Sequence, residues 1–428
     1  MEAIVHTKNT SLNIIFLELL SLTPLFILLG NIVPPFPIKL HLIGMGLIFV
    51  TSLFILLNNP NKRWYLYFLG FYLIIQFFQE FWNLRSFLDF FFGSTILICA
   101  IDIVANPTIS NQTLNKYIKR FLSLLWIPII IAILQFLKVI PITFWNATYI
   151  NLAYAADGSV IPRPNGLLYH GSELSIIICF MTLFQFFKKE KEAFWLIVFL
   201  IMVSMMTYFK AIVGCIGLLF IYYLGFVNRG VLSNFRIITK PWLIFLIALG
   251  GGIISLYAIN YFNLVHHYTG YYFPEQMLTG RGSIWNIYLD AIKDFSLFNY
   301  LFGAGTGSSF DLFTKYASPE NFYPLRVNGK TDIAYDPHNA MLSIFIDGGM
   351  FCILLFALMY RMIRTQVKSW FPSERWNLRM LTGVIFIPLL TIGITIVIFD
   401  MAIYWCCLCF LLFKWKLFSI NKTPINEH

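Results

Sequence analysis

Four side chains in this sequence could act on a phosphorylated substrate: the cations of Arg163, Lys210 and Arg281, and the imidazole of His338. The guanidinium group of Arg binds two phosphate oxygens through its planar fork, whereas the ammonium group of Lys acts as a point charge. Imidazole titrates near neutral pH, so it can take a proton from a hydroxyl group as a general base. Each cation could instead reach lipid headgroups, and His338 could equally be an ordinary residue at the start of a helix.

Small and polar residues accompany these four side chains. Asn339 could cap a helix or orient a substrate, and Asp336 could orient the imidazole of His338. Gly303 and Gly305 belong to a glycine-rich turn, which is not a dinucleotide-binding fingerprint because no Rossmann pattern surrounds it. The histidines do not show metal-binding spacing. We therefore predict neither a metal site nor a cofactor.

The elements that must position these residues are membrane-spanning helices. Hydrophobic residues make up 59% of the 428 residues and charged residues 12%, and the mean hydropathy is +0.75. Soluble domains have about 25% charged residues. The net charge of +10 does not indicate nucleic-acid binding here, because cytoplasmic loops of membrane proteins collect Lys and Arg. The seven cysteines fall inside hydrophobic runs, which predicts packing rather than a disulfide framework.

Runs of about 20 apolar residues are long enough to cross the hydrocarbon core of a bilayer. The sequence predicts an all-α polytopic membrane protein with twelve such spans: about 11–33, 38–57, 64–83, 87–105, 120–140, 172–187, 194–209, 211–227, 241–262, 339–360, 378–398 and 400–417.

The distribution of positive charge predicts the topology. When the spans alternate from a cytoplasmic N-terminus, the cytoplasmic segments hold twenty of the 30 Lys and Arg residues. Both termini are therefore predicted to be cytoplasmic. The chain divides into residues 1–262 with nine spans and an external loop at 141–171, a long external loop at 263–338, and residues 339–428 with three spans and a cytoplasmic tail.

The long loop is predicted to carry a short surface helix. Ser283 can cap a helix that runs to about Phe295, with apolar residues on one face and its Trp and Tyr residues at headgroup level. In the following span, Asp347 is costly unless it faces protein or water, and the two glycines after it permit close packing.

Taken together, these motifs resemble the superfamily of O-antigen polymerases and O-antigen ligases. The resemblance covers about residues 160–360, and topology alone extends it further. Its motifs are Arg163-x-x-Gly166, the cation Lys210, Thr279-Gly280-Arg281 followed by Trp285, Phe302-Gly303-x-Gly305, and Pro337-His338-Asn339 with an acid and small residues in the next span.

The resemblance implies a metal-independent glycosyltransferase with a GT-C-like fold in the bacterial inner membrane, its active site facing the periplasm. Arg163, Lys210 and Arg281 would bind the diphosphate of an undecaprenyl-diphosphate-linked oligosaccharide, and His338 would activate the acceptor hydroxyl. Arg281 would also act in catalysis, with Asn339, Gly303 and Gly305 in support. Lys210 departs from the family, where Arg is usual, so its role is the least secure.

Several functions share this pattern. A polymerase adds the glycan to a lipid-linked repeat unit of an O-antigen, capsule or exopolysaccharide, whereas a ligase adds it to lipid A core in lipopolysaccharide biosynthesis. The dipeptide Asp336-Pro337 before His338, where many ligases have His-x, favours a polymerase. Membrane lipids, a chain-length regulator and a flippase are the expected partners. Protein O-glycosylating members share the motifs, and a transporter of lipid-linked oligosaccharides is a further alternative, although no internal repeat supports it.

Overall fold

The structure of the protein is a computed structural model. The described residues are 2–32, 40–82, 84–105, 109–142, 152–154, 160–162, 164–168, 171–186, 190–207, 212–213, 215–220, 281–317, 337, 339–370 and 401–421.

Helices dominate these residues. They are α1 (Glu2–Ser21), α2 (Thr23–Ile32), α3 (Leu40–Asn58), α4 (Arg63–Gln76), α5 (Leu84–Ala105), α6 (Asn111–Phe136), α7 (Gly171–Gln185), α8 (Glu190–Met206), α9 (Arg281–Lys293), α10 (Leu297–Phe302), α11 (Ser309–Tyr316), α12 (Ala340–Trp370) and α13 (Ala402–Asn421). A 3₁₀ turn at Pro60–Lys62 joins α3 to α4, and residues 212–213 and 215–220 are also helical.

Four helical segments are long and apolar enough to cross a membrane: α5, α6, Ala340–Ser369 of α12 and Ala402–Ser419 of α13. Two bent pairs, α1 with α2 and α3 with α4, pass the same test when each is taken together. The described residues therefore hold four to six candidate spans, as expected for a multi-pass membrane protein. Twelve spans remain a prediction, and the predicted spans at 241–262 and 378–398 lie outside the described residues.

The bent pairs differ from the straight spans that the sequence predicts. The run at 11–33 is broken between Ser21 and Thr23 by a bend of 45°. The chain turns by 111° between α3 and α4, and α4 ends at Gln76, seven residues before the predicted end of its span. Its 14 residues make a helix only about 21 Å long, which is shorter than the roughly 30 Å hydrocarbon core.

The main core is built around α5. Nearly every residue from Phe90 to Val104 is buried, because a helix that is apolar on all sides is stable only when other helices surround it. The C-terminal helix α13 packs against α5, α6 and α7. All seven cysteines are buried and free, which confirms that they serve in packing.

Two short strands depart from an all-helical fold. Leu152–Tyr154 pairs antiparallel with Val160–Pro162, and Leu152 lies opposite Pro162. Both strands fall within the predicted external loop at 141–171. The pairing ends at Pro162, directly before Arg163.

Candidate functional site

Helix α9 carries one of the predicted cations at its first residue, Arg281. The prediction that Ser283 caps this helix is wrong, because Arg281 and Gly282 already have helical backbone and Ser283 lies in the first turn. The predicted apolar face is confirmed. Its fully packed members are Ile284, Ile287, Tyr288 and Ala291, while Asp290 and Lys293 on the other side form an exposed ion pair of 2.7 Å.

That face of α9 forms a second, smaller core with the residues that follow it. Ala304, Leu312, Phe313 and Ile346 complete this core. The predicted position of Tyr288 at headgroup level is wrong, since its ring is fully buried and its hydroxyl donates to Ser309 O at 2.8 Å. A buried tyrosine is stable when its hydroxyl has such an acceptor. Helices α9 to α11 and the start of α12 are thus packed together.

One hydrogen bond ties α9 to the residue that precedes His338. The indole Nε1 of Trp285 donates to Pro337 O at 2.8 Å. Trp285 lies four residues after Arg281, which is about one helical turn. Arg281 and Pro337 lie 56 positions apart in the sequence, so this contact joins the first turns of α9 to the residue that precedes His338.

The glycine-rich turn between α10 and α11 packs tightly against α12. Its backbone bonds directly to that helix, with Ala304 N donating to Ile346 O at 2.7 Å. A Cβ atom on Gly303 would overlap the backbone of Asp347, and one on Gly305 would overlap Phe81 O. Gly303 and Gly305, predicted as supporting residues, therefore serve the close approach of two backbones.

Helix α12 is kinked where this turn meets it. Gly349 has a φ of +63° within the helix, a conformation that L side chains disfavour, and a Cβ atom there would overlap Gly303 N and Leu301 O. The sequence predicts that these small residues permit close helix approach. In the structure, Leu301 near the end of α10 and Gly303 in the glycine-rich turn both lie against Gly349.

The buried carboxyl group of Asp347 closes the contact. Its Oδ1 accepts hydrogen bonds from the hydroxyl groups of Ser308 and Ser309, each at 3.1 Å. An acidic group in an apolar helix is costly unless protein donors satisfy it. Of the two surroundings that the sequence allows, protein or water, Asp347 therefore faces protein, and it fixes the start of α11 against α12.

The end of α4 holds the other side of the turn. Gln76 Oε1 accepts from Thr306 N at 2.8 Å and from Thr306 Oγ1 at 3.0 Å. The hydroxyl of Tyr72 donates to Phe302 O at 2.8 Å. Neither α4 residue was predicted to belong to the site, although a glutamine in an apolar run is a polar group that needs a partner.

Asn339 has the capping role that the sequence offered as one alternative. Its Oδ1 accepts from Met341 N at 3.0 Å and from Leu342 N at 3.1 Å. This N-cap satisfies two backbone donors at the first turn of α12. The cap uses only the oxygen of the amide group, so a role for Asn339 in orienting a substrate stays a prediction.

A buried clamp on α6 holds the chain just after Arg163. Gln135 Oε1 accepts from Asn165 N at 3.1 Å and Gly166 N at 2.9 Å, while Gln135 Nε2 donates to Asn165 Oδ1 at 3.1 Å. Gly166 and Leu167 both have positive φ; glycine adopts this conformation readily, whereas for Leu167 it is strained, and backbone strain of this kind collects at functional sites. Gln135 was not predicted, although it too is a polar residue in an apolar run.

The reactive groups of the predicted site lie outside the described residues. Arg163, Lys210 and His338 are not described, and Arg281 is described only in its backbone. Their roles stay predictions. Within the described residues, His, Cys, Asp and Glu do not form a group that could hold a metal ion.

The sequence matches neither a protein-family model nor a curated protein.

Proposed function

We propose that this protein is a polysaccharide polymerase of the O-antigen polymerase and ligase superfamily. The bond from Trp285 to Pro337 O supports the proposal most directly. It places the helix that begins at Arg281 beside the chain that leads into His338. A diphosphate-binding cation and a general base must both reach the same glycosidic bond, and a shared location of these two segments is what that chemistry needs.

In the proposed reaction, Arg163, Lys210 and Arg281 bind the diphosphate of the undecaprenyl-linked glycan. His338 takes the proton from the acceptor hydroxyl as that oxygen forms its bond to the anomeric carbon. The bond from the anomeric carbon to the diphosphate oxygen breaks, and undecaprenyl diphosphate leaves with the electron pair. Cations beside the leaving group stabilise the negative charge that develops on it.

We also propose a location for the site. The site faces the periplasm at the outer surface of the bacterial inner membrane, both termini are cytoplasmic, and twelve spans of a GT-C-like fold surround it. The acceptor is a lipid-linked repeat unit, which a flippase supplies and a chain-length regulator counts. The Lys and Arg distribution supports this orientation.

The experiment uses a deletion strain that is complemented with single variants. His338→Ala and Arg281→Ala should abolish long-chain glycan while the protein remains inserted and abundant in the membrane. Lys293→Ala is the matched control, because it removes an exposed cation at the other end of the same helix and should leave the glycan unchanged. Normal long-chain glycan in either site variant would refute the assignment of these residues.

The surface lipid of the deletion strain separates the possible functions. Core that carries one repeat unit indicates the loss of a polymerase. Bare core with lipid-linked polymer accumulating indicates the loss of a ligase, which would contradict the proposal. Lipid-linked repeat units that accumulate on the cytoplasmic leaflet indicate the loss of a transporter, and would contradict it as well.

A further inference from the structure

Helix α12 measures how deep the glycine-rich turn lies in the bilayer. Gly349, against which Leu301 and Gly303 lie, comes 12 residues before Arg361, and the residues between them carry no charge. At 1.5 Å per residue, this part of α12 is about 18 Å long. The hydrocarbon core is roughly 30 Å thick, so the turn lies about 12 Å inside its far boundary when Arg361 marks the near one.

Helix α4 gives nearly the same height from a second cationic end. Gln76, whose Oε1 accepts from Thr306 N and Thr306 Oγ1, lies 13 residues after Arg63, which corresponds to about 20 Å. Arg63 and Arg361 both belong to segments that are predicted to be cytoplasmic. Tilt of either helix would lower the turn further, and an arginine whose stem reaches several ångströms into the bilayer still leaves the turn below the far boundary.

The short helix α10 runs along α12 towards this depth. Phe295, two residues before α10, stacks on Phe345 with ring centroids 6.4 Å apart, while Leu301 lies against Gly349. Phe345 and Gly349 are four residues apart, which is about 6 Å along a helix. The start of α10 is therefore closer to the far boundary than its end.

Along this path α10 exposes an apolar surface. Leu297 is 76% exposed, Leu301 46% and Phe298 39%. The surface continues on both neighbouring helices, whose exposed side chains recur every three or four residues: Tyr67, Phe71 and Ile74 on α4, and Met350, Leu354 and Leu358 on α12. The stripe on α12 belongs to a candidate membrane span, where such a stripe faces lipid. Because the surface of α10 is continuous with this stripe, lipid is the partner that fits it.

The backbone of the turn is bonded as hydrocarbon requires. Irregular backbone at membrane depth is stable only where protein supplies its hydrogen-bond partners. Ala304 N donates to Ile346 O at 2.7 Å, and Thr306 N donates to Gln76 Oε1 at 2.8 Å. In water, solvent could supply these partners.

We propose that α10 and the glycine-rich turn form a re-entrant segment inside the bilayer, where Leu297, Phe298 and Leu301 contact the acyl chains of the lipids. Positions 295–310 hold no charged residue, so hydrocarbon suits this segment better than the headgroups do. The location differs from the sequence prediction, in which the whole loop at 263–338 is external. The contact with lipid does not depend on the proposed glycan transfer.

Nitroxide labels on introduced cysteines test this contact in full-length protein that is reconstituted into vesicles of phosphatidylcholine and phosphatidylglycerol. Leu297→Cys and Leu301→Cys carry the labels at exposed positions, where a label should not disturb the core. Lys293→Cys is the matched control on the exposed side of α9. Leu354→Cys is the reference within the stripe of α12. Wild-type protein that is labelled in the same way measures the signal from the seven buried cysteines.

Collisions of each label with oxygen, which concentrates in hydrocarbon, and with a water-soluble nickel complex report its depth. The labels at Leu297 and Leu301 should collide mainly with oxygen, as the label at Leu354 does. The label at Leu301 should lie up to about 6 Å deeper than the label at Leu297. The label at Lys293 should collide mainly with nickel.

Nickel collisions at Leu297 and Leu301 that are as frequent as those at Lys293 would show that α10 lies in water, and would overturn the re-entrant segment. Rare collisions with both probes would show that protein covers α10, either another part of this chain or a second copy, and would overturn the lipid contact. Both results would leave the proposed glycan transfer standing, because no substrate takes part in the measurement.

Discussion

Replacing Gly305 with alanine tests the packing of the glycine-rich turn most sharply. Gly305 has a φ of +119°, which costs a residue with a Cβ atom about 1–3 kcal/mol. The new methyl group would also overlap the carbonyl oxygen of Phe81. That atom belongs to the backbone and cannot rotate away, so overpacking adds about 1–3 kcal/mol. We expect Gly305→Ala to destabilise the turn by roughly 2–6 kcal/mol.

The effect should be local, because the turn belongs to the small core of α9 to α11. Hydrogen exchange of residues 303–317 should therefore accelerate at least about thirtyfold, with little change in α5. Gly70→Ala is the control, since a Cβ atom there meets nothing within 4 Å and alanine is the better helix former. Equal exchange rates in the two variants would refute the backbone contact between Gly305 and Phe81.

Two further variants test the contacts that join the loop to α12. Trp285→Phe removes the hydrogen bond to Pro337 O and should slow glycan transfer about twofold to tenfold, while the melting temperature stays nearly unchanged. An unaltered transfer rate would show that this bond does not position the site. Asp347→Ala leaves the hydroxyl groups of Ser308 and Ser309 without their acceptor and should lower the free energy of unfolding by roughly 2–6 kcal/mol. Replacing both serines by alanine in the Asp347→Ala protein should restore part of that free energy. Additive losses would contradict the coupling between Asp347 and the serines.

The helices could be predicted because their periodicity and apolar composition are local properties. The apolar face of α9 is an example, since the spacing of Ile284, Ile287 and Ala291 predicts the buried positions that the structure shows. With Ser283 as the cap, the first helical residue is predicted to be Ile284, three residues after the observed start at Arg281, because serine is a good cap by itself and nothing local shows that Arg281 is already helical.

The bends in α1–α2 and α3–α4 could not be predicted from hydropathy. A window of about 20 apolar residues measures only length and composition, and both are the same for a straight span and for a bent pair. The end of α4 at Gln76 lies against the glycine-rich turn, whose Thr306 bonds to that glutamine from 230 positions away. Such a contact between distant residues has no periodic pattern in the sequence.

The sequence by itself predicts a helical membrane protein, an Asp347 that must face protein or water, and glycines beside it that allow close helix approach. These properties follow from the cost of burying charge and from the size of single residues. Only the tertiary structure decided which partners they are: the two serines for Asp347, Gln76 for the turn and Gln135 for the chain after Arg163. Each of these bonds joins segments that are far apart in the sequence and forms only when those segments have packed together. The amide and hydroxyl groups could pair with many different partners, so the residue type alone does not specify which partner is used.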